Sequence, residues 1–339
     1  MMGQAPHVAI VGAGRMGQGI ALAFIHGGLS VALIDMKERE PDDERLYSER
    51  VRLELDRELC AKIDLGWITA EQARESADRV HIFGREDGLQ ALSDADVVFE
   101  AVPEVMTAKA AALSLISDVA RHDIPVASTT SSFLVTELAK LIDGPQRFLN
   151  AHWLNPADLM PLVEISRSEQ TDGAVIDDVV GLLERIGKVP VVCSASAGYI
   201  VPRIQALAMN EAARMVEEGV ASAEDVDKAV RVGFGLRFAV LGLVEFIDWG
   251  GGDILYYASR YLADMLGDRF EAPEVIAANM ASNRNGLRDG QGFYTYDPDT
   301  VGDYKSLRMR EFSRLLDEVG LSPEYGAALA PVPEKTRHG

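Results

Sequence analysis

The stretch "VGAGRMGQG" near the N-terminus constrains the fold more than any other part of this 339-residue sequence. Its glycines, Gly12, Gly14 and Gly17, follow the strand-like run "HVAIV" and precede a helical pattern. In such a strand–turn–helix the first glycine permits a tight turn, the second lets the backbone approach a pyrophosphate, and the third allows close helix–sheet packing. The stretch predicts a dinucleotide site in a doubly wound α/β domain. Arg15 and Met16, inside the turn, belong to the predicted cofactor-binding set.

Asp35 indicates which dinucleotide binds. It ends the second strand-like run, "SVALID", about 20 residues past the glycine turn, where a carboxylate grips the ribose 2′-hydroxyl. A carboxylate there would repel a 2′-phosphate, so the sequence favours NAD over NADP. Lys37 and Arg39 weaken that preference only slightly. The alternative is a glycine turn that binds nothing.

Short β-branched runs alternate with longer helical patterns through the first two-thirds of the chain. They lie at residues 7–11, 30–34, 80–83, 97–100, 125–128, 148–152, 162–165 and 189–193. This alternation predicts a parallel sheet covered by helices on both faces. From Val201 to about Phe270 the apolar spacing is helical.

The resulting domain prediction is a Rossmann-type NAD-binding domain followed by an all-α domain. The boundaries are residues 1–194 for the first domain, 195–330 for the second and 331–339 for a polar tail. A charged insertion at about 42–65 predicts a helical arm, for which a solvated helix is the plain interpretation.

Composition excludes several classes of partner. The net charge is −20 and the pI is about 4.7, which argues against nucleic acid and anionic membranes. Cys60 and Cys193 lie far apart without metal-ligand spacing, so we expect no metal and a reducing compartment. There is no signal-peptide pattern and no membrane-spanning run, which predicts a cytoplasmic protein.

His152 and Glu164 are the candidate catalytic residues in "NAHWLNPADLMPLVEI". A nicotinamide enzyme that oxidises an alcohol needs a base for the hydroxyl proton, and a carboxylate beside an imidazole fixes its tautomer. Glu is rarely buried without a partner, so its place in the apolar run "PLVEI" predicts a pairing with His152 across the "NPAD" turn. A packed, hydrogen-bonded histidine without a catalytic role is the alternative.

From about residue 8 to residue 297 the sequence resembles the L-3-hydroxyacyl-CoA dehydrogenase family. The motifs that carry the resemblance read "GAGRMG", "VVFEAVPEVMTAK", "STTSS", "HWLNPADLMPLVE" and "GYIVPR". The resemblance implies that His152 is the base, that Glu164 is its partner and that Ser131 hydrogen-bonds the substrate oxygen. It further implies that Glu104 and Lys109 contact the ribose on the nicotinamide side, and that the helical half forms a homodimer.

Two departures from the family pattern bear on the substrate. Pro202 stands where the family has an active-site asparagine, and Arg237 lies in "GFGLRFAVLG", where the acyl-CoA enzymes have an uncharged segment. The second stretch is more similar to the branch of the family that acts on free hydroxy acids. An arginine there could clamp a carboxylate, or it could pair with Glu245 or Asp248 to hold helices together.

The predicted substrate-binding set is Asn155, Arg237, Trp153 and Pro202. Trp153, next to the base, is either a core aromatic or the wall of a small pocket. The leading hypothesis is an NAD-dependent 3-hydroxy-acid dehydrogenase for a small free carboxylate. The alternatives are a 3-hydroxyacyl-CoA (3-hydroxybutyryl-CoA) dehydrogenase and a non-catalytic NAD-binding protein.

Overall fold

The computed structural model describes residues 7–323 of the chain. Its contacts divide the chain into two compact units, the first ending at Ala208 and the second beginning at Met209. The predicted tail, residues 331–339, lies outside the described residues.

The first unit is built on an eight-stranded sheet. Each predicted apolar run forms one strand: β1 Val8–Val11, β2 Val31–Ile34, β3 Val80–Phe83, β4 Val97–Glu100, β5 Val126–Ser128, β6 Phe148–Trp153, β7 Leu162–Arg167 and β8 Val189–Ser194. The order across the sheet is β3-β2-β1-β4-β5-β6-β7-β8. Residues on β1 and β4 are buried on both faces, as in sheets covered by helices on both sides. The predicted α/β class is confirmed.

The expectation of a wholly parallel sheet is wrong at one pair of strands. β1 to β6 pair in parallel, and β7 pairs antiparallel with β6 before β8 runs parallel to β7. The reason is the connection: only residues 154–161 separate β6 from β7, and a parallel crossover needs a dozen residues or more. The chain therefore turns back on itself.

Helices cover the sheet of the first unit. They are α1 Arg15–His26, α2 Pro41–Asp64, α3 Ala70–Ala77, α4 Gly88–Ser93, α5 Met106–Val119, α6 Val135–Leu138 and α7 Gly173–Arg185. One hydrophobic cluster includes Phe24 and Phe99, and a second includes Leu113 and Phe148. These two cores hold the carboxyl ends of β1, β4 and β5 in fixed positions.

The charged insertion forms α2. A proline stands in its first turn together with Asp42, Asp43 and Glu44, all favourable at a helix N-terminus. Val51, Leu55 and Leu59, four residues apart, form a buried stripe that packs into the core, so α2 is not simply a solvated arm.

After β8 the described chain is helical. Its helices are α8 Val201–Glu217, α9 Ala223–Ala229, α10 Leu236–Val240, α11 Leu243–Gly250, α12 Gly252–Leu266, α13 Glu274–Ala281 and α14 Val301–Glu318. This confirms the predicted all-α second part. Within residues 7–323, no helix combines the length and apolar character needed to cross a membrane.

Candidate active site

The turn between β1 and α1 is shaped by contacts that only glycine permits. Gly12 has φ 122°, and a Cβ on it would lie 2.5 Å from the carbonyl oxygen of Ala101. A Cβ on Gly17 would lie 1.9 Å from the Gly12 oxygen. Gly14 caps α1 without a side-chain hydrogen bond, and a Cβ there would meet nothing within 4 Å. The helix N-terminus therefore faces open space, where a phosphate fits.

A cleft of about 630 Å³ opens beside this turn, at the carboxyl ends of β1, β2 and β4. Strand order reverses between β1 and β4, which is where open α/β sheets bind ligands. The predicted site residues that line the cleft are Gly12, Gly14, Arg15, Met16, Asp35, Glu104 and Ser131. The residues present therefore fit an extended dinucleotide.

Asp35 lies at the far end of the cleft and already has partners. Its Oδ2 accepts a hydrogen bond from Arg39 Nε at 2.6 Å, and its Oδ1 accepts one from the Lys37 amide at 3.3 Å. The bond to Asp35 raises the pKa of Arg39, whose guanidinium also lies 3.9 Å from the centre of the Tyr47 ring. Arg39 is thus oriented by Asp35 and its charge is neutralised there.

Glu104 organises the loop that follows β5. Its Oε1 accepts from Thr130 Oγ1 at 2.5 Å, from the Ser131 amide at 3.0 Å and from the amide and hydroxyl of Ser132 at 2.9 and 2.7 Å. Its Oε2 lies 3.2 Å from Lys109 Nζ. Burial disfavours the charge on Glu104, but these hydrogen bonds and Lys109 outweigh burial and lower the pKa of Glu104 to about 2. The carboxylate is ionised and holds Ser131 at the cleft.

Glu100, at the end of β4, was missed at the sequence level. It is fully buried, with both carboxylate oxygens 3.1–3.2 Å from Lys109 Nζ, and it accepts from Ser128 Oγ at 2.5 Å and from the Val102 amide at 2.9 Å. Burial raises the pKa of Glu100, while Lys109 and Ser128 oppose that effect. An acidic residue ending the apolar run "VVFE" was the available signal. Lys109 thus lies beneath the cleft, between Glu100 and Glu104, rather than on its wall.

His152 and Glu164 lie directly opposite each other on β6 and β7. His152 Nδ1 is 2.9 Å from Glu164 Oε2, and both side chains are buried. Glu164 Oε1 accepts from the amides of Ile200 and Val201, each at 2.9 Å, where α8 begins. These bonds satisfy a buried carboxylate that would otherwise be strongly destabilising. Because Nδ1 is bonded to Glu164, Nε2 is the imidazole nitrogen left for another partner.

The connection between β6 and β7 is held by two lysines. Lys188 Nζ donates to the carbonyls of Ala157, Asp158 and Met160 at 2.8–2.9 Å, and Lys62 pairs with the Asp158 carboxylate at 2.6 Å. Neither lysine was singled out from the sequence. Together they fix the geometry of the hairpin that carries His152 and Glu164.

Asn155 lies on this connection, exposed, and lines a second cleft of about 660 Å³. Trp153 does not line a pocket wall, and that interpretation is corrected: it is 2% exposed and packs against Phe24 and Phe99 with ring centres 5.9 and 6.1 Å apart. Successive residues of a strand point to opposite faces, so Trp153 faces away from the His152 side of the sheet. It is a core aromatic.

Pro202 is the second residue of α8 and is partly buried. Proline is tolerated in the first turn of a helix, because the N–H it lacks has no intrahelical partner there. The neighbouring amides that α8 does present, those of Ile200 and Val201, bind Glu164. The sequence change at Pro202 therefore leaves the start of the helix intact.

Arg237, in α10, is exposed, with its guanidinium 5.0 Å from the centre of the Phe246 ring. The alternative that it pairs with Glu245 or Asp248 is wrong. Glu245 binds Arg308 at 2.8 Å, and Asp248 accepts two backbone amides from farther along the chain. Across residues 7–323, no carboxylate forms a salt bridge with Arg237.

Comparisons with known proteins identify the family to which the chain belongs. The model of the 3-hydroxyacyl-CoA dehydrogenase NAD-binding domain matches residues 7–196, and that of the 3-hydroxyacyl-CoA dehydrogenase C-terminal domain matches residues 198–296. Fold and cleft define an NAD-dependent oxidoreductase that acts on a CH–OH group. The chain belongs to the 3-hydroxyacyl-CoA dehydrogenase family.

Three similar proteins illustrate the range of the family. A 5-formyl-3-hydroxy-2-methylpyridine 4-carboxylate 5-dehydrogenase of Mesorhizobium japonicum is 29% identical over 306 residues, covering 90% of this chain and 95% of that protein. A 3-hydroxybutyryl-CoA dehydrogenase of Clostridioides difficile is 30% identical over 292 residues, covering 86% and 99%. The crystal structure of a 3-hydroxyacyl-CoA dehydrogenase from Archaeoglobus fulgidus is 32% identical, with a TM-score of 0.73, covering 94% and 100%.

Proposed function

We propose that the protein is an NAD-dependent 3-hydroxy-acid dehydrogenase that acts on a small free carboxylate. His152 is the general base, Glu164 its orienting carboxylate, and Ser131 the hydrogen-bond partner of the substrate oxygen. The observation that carries the catalytic part is the buried His152–Glu164 pair, with its 2.9 Å hydrogen bond. NAD, when bound, accepts the hydride from C3 of the substrate.

In this mechanism His152 Nε2 takes the hydroxyl proton. The Glu164 carboxylate on Nδ1 fixes the tautomer and stabilises the imidazolium that forms. The amides of Ile200 and Val201 stabilise the charge of Glu164 at the positive end of α8. The hydrogen bond that the Ser131 backbone amide donates to Glu104 holds Ser131 at the cleft.

The cofactor part of the proposal assigns the glycine turn to the phosphates and Asp35 to the adenosine ribose. Glu104 is proposed for the ribose on the nicotinamide side, since it lines the cleft. Lys109 is proposed to act through Glu104, because its side chain is buried beneath the cleft and bonded to two carboxylates.

Two positions support a free carboxylate as substrate. Arg237 has a guanidinium that no carboxylate within residues 7–323 neutralises, and a planar guanidinium binds carboxylates bidentately. Pro202 offers no polar side chain in place of the family's asparagine. The similar protein of Mesorhizobium japonicum is named for a pyridine carboxylate, which is a free acid.

The α2 helix also fits a small substrate better than a CoA thioester, because most of its cations are committed. Arg45 and Arg50 face glutamates one turn along, at 2.8 and 3.7 Å, and Arg52 donates to two backbone carbonyls. Lys62 pairs with an aspartate at 2.6 Å. That leaves Arg57 as the cation of α2 without such a bond in the described structure.

The second candidate is a 3-hydroxyacyl-CoA dehydrogenase. The names of the similar proteins from Clostridioides difficile and Archaeoglobus fulgidus favour it. It uses the same base and the same carboxylate, and differs only in what binds the far end of the substrate.

Initial rates of NADH absorbance decide between the two. Acetoacetyl-CoA is run in parallel with a panel of free 3-keto acids with NADH, and of 3-hydroxy acids with NAD. The proposal expects turnover of free acids that Arg237→Met lowers at least tenfold, while Arg310→Met, a matched loss of an exposed arginine, does not. Turnover confined to the thioester, or an Arg237→Met enzyme with unchanged efficiency on the acid, contradicts it.

We further propose a cytoplasmic homodimer formed through the helical unit. Ile254, Tyr257, Tyr261 and Met265 form one stripe along α12 and are each more than 60% exposed, which is unusual for a helix that remains in water. The free thiols of Cys60 and Cys193 fit a reducing compartment.

Light scattering tests the dimer. It should give twice the chain mass for wild type, and the Tyr257→Glu/Tyr261→Glu variant should be monomeric. A monomeric wild type contradicts this.

A further inference from the structure

The Tyr199 ring lies against the imidazole of His152. The two ring centres are 4.7 Å apart, the planes differ by 13°, and Tyr199 is 5% exposed. Glu164 binds the edge of the imidazole through Nδ1, but a hydrogen bond at one atom leaves the ring free to tilt. Stacking on one face removes that freedom.

The Tyr199 hydroxyl connects this stack to the loop that carries Ser131. It donates to the Thr130 carbonyl at 2.7 Å and accepts from Asn150 Nδ2 at 3.1 Å. Asn150 also donates to the Phe133 carbonyl at 3.1 Å, so the loop is tied down on both sides of Ser131. Burial raises the pKa of Tyr199, which keeps the phenol protonated and able to donate.

The backbone conformation at Tyr199 positions hydrogen-bond donors for Glu164. Its φ is 46°, in the left-handed region, which is unfavourable for a residue with a Cβ. The next two amides, those of Ile200 and Val201, both point at Glu164 Oε1. The left-handed turn thus places the Tyr199 ring over His152 and directs the next two backbone amides at Glu164. Such a conformation persists only where the surrounding contacts stabilise it.

We propose that Tyr199 is a positioning residue that sets His152 and the Ser131 loop in one fixed relation. The proposal deepens the proposed function, since it rests on His152 being the base. A purely space-filling aromatic would need neither the two hydrogen bonds of the hydroxyl nor the left-handed backbone.

Tyr199→Phe tests the hydroxyl while keeping the stack, and Tyr296→Phe is the matched control. The Tyr296 hydroxyl also donates to a buried acceptor, Asp248 Oδ2, at 3.1 Å. A hydrogen bond contributes about 0.5–1.5 kcal/mol, so kcat should fall about 2- to 13-fold in Tyr199→Phe, with the KM for NADH within twofold of wild type. Asn150→Ala, which removes the amide behind the same hydroxyl, should change kcat in the same direction.

The primary deuterium isotope effect with 4-deuterated NADH separates positioning from structure. A misplaced base slows the chemical step, so the isotope effect should rise in Tyr199→Phe. Partial misfolding lowers the amount of active enzyme and leaves the isotope effect unchanged. Equal kcat and equal isotope effects in Tyr199→Phe and Tyr296→Phe would overturn the proposal.

His152→Gln distinguishes this failure from failure of the proposed function. If His152→Gln retains turnover, His152 is not the base and the proposed function fails along with the role of Tyr199. If His152→Gln is inactive while Tyr199→Phe behaves as the control does, only the positioning role is refuted.

Discussion

Replacing Glu164 with glutamine removes one negative charge beside the proposed base His152 and leaves the volume of the side chain almost unchanged. The carbonyl oxygen of glutamine can still accept from the amides of Ile200 and Val201, as Glu164 Oε1 does at 2.9 Å. Its amide NH2 then faces His152 Nδ1, which must become an acceptor. The ring proton moves to Nε2, so the nitrogen that should accept the substrate proton already carries one.

The size of the effect follows from the geometry. The charges of a carboxylate and an imidazolium about 4 Å apart attract by about 4 kcal/mol at an effective dielectric constant of about 20, which is roughly three powers of ten in rate. The wrong tautomer adds to this, and the equivalent change in a serine-protease triad lowers kcat about 10⁴-fold. We expect kcat/KM of Glu164→Gln to fall about 10³- to 10⁴-fold.

The assay is NADH absorbance with the preferred substrate of the panel, together with the Tm of each variant. Glu169→Gln is the control, since Glu169 is exposed and the chemical change is the same. A Glu164→Gln enzyme with unchanged Tm and kcat/KM within tenfold of wild type would refute the reasoning, because neither the charge nor the tautomer would then matter.

Three further predictions concern the cofactor side. Asp35→Ser should raise the KM for NADH about 10- to 100-fold, because it removes a charged hydrogen-bond acceptor. It should also raise the ratio of kcat/KM for NADPH to that for NADH, because Arg39 is freed, and adding Arg39→Ala should abolish this rise. The pKa of Glu104 is lowered to about 2, so its contribution to folding stability is complete above about pH 4.5 and is lost as the pH falls towards 2. The difference in Tm between wild type and Glu104→Gln should therefore shrink over that pH interval, and a constant difference contradicts this. Gly17→Ala should lower the Tm in a thermal melt and weaken NADH binding in a fluorescence titration, because its Cβ would lie 1.9 Å from a backbone oxygen. Gly181→Ala should change neither, because its Cβ would have no atom within 4 Å.

The strands and the pairing of His152 with Glu164 could be predicted because their signals are local. Apolar runs mark buried strands, and an acidic residue inside one, Glu164, must have a partner. The same signal marked Glu100 at the end of "VVFE", but its partners Lys109 and Ser128 come from helix α5 and strand β5. Their convergence depends on strand order, which one sequence does not specify.

Trp153 could have been assigned to the core from the sequence, because adjacent residues of a strand point to opposite faces and its neighbour is the predicted base His152. Two other parts of the site could not be predicted. The left-handed backbone of Tyr199 has no signal in the sequence, since it is imposed by the surrounding contacts. The three carbonyls that Lys188 binds are backbone groups, and their positions exist only in the folded hairpin.

The antiparallel pairing of β6 with β7 has a consequence for the order in which the protein assembles. His152 and Glu164 are joined by a short connection, whereas the cofactor cleft needs pairings such as Val8 with Val97, which lie 89 residues apart in the chain. Loop-closure entropy grows with the logarithm of loop length, so closing the β6–β7 hairpin costs roughly 2 kcal/mol less than pairing β1 with β4. Local contacts of this kind form fast, and distant parallel pairings form slowly. In refolding, the β6–β7 hairpin should gain hydrogen-exchange protection before the strands that border the cofactor cleft.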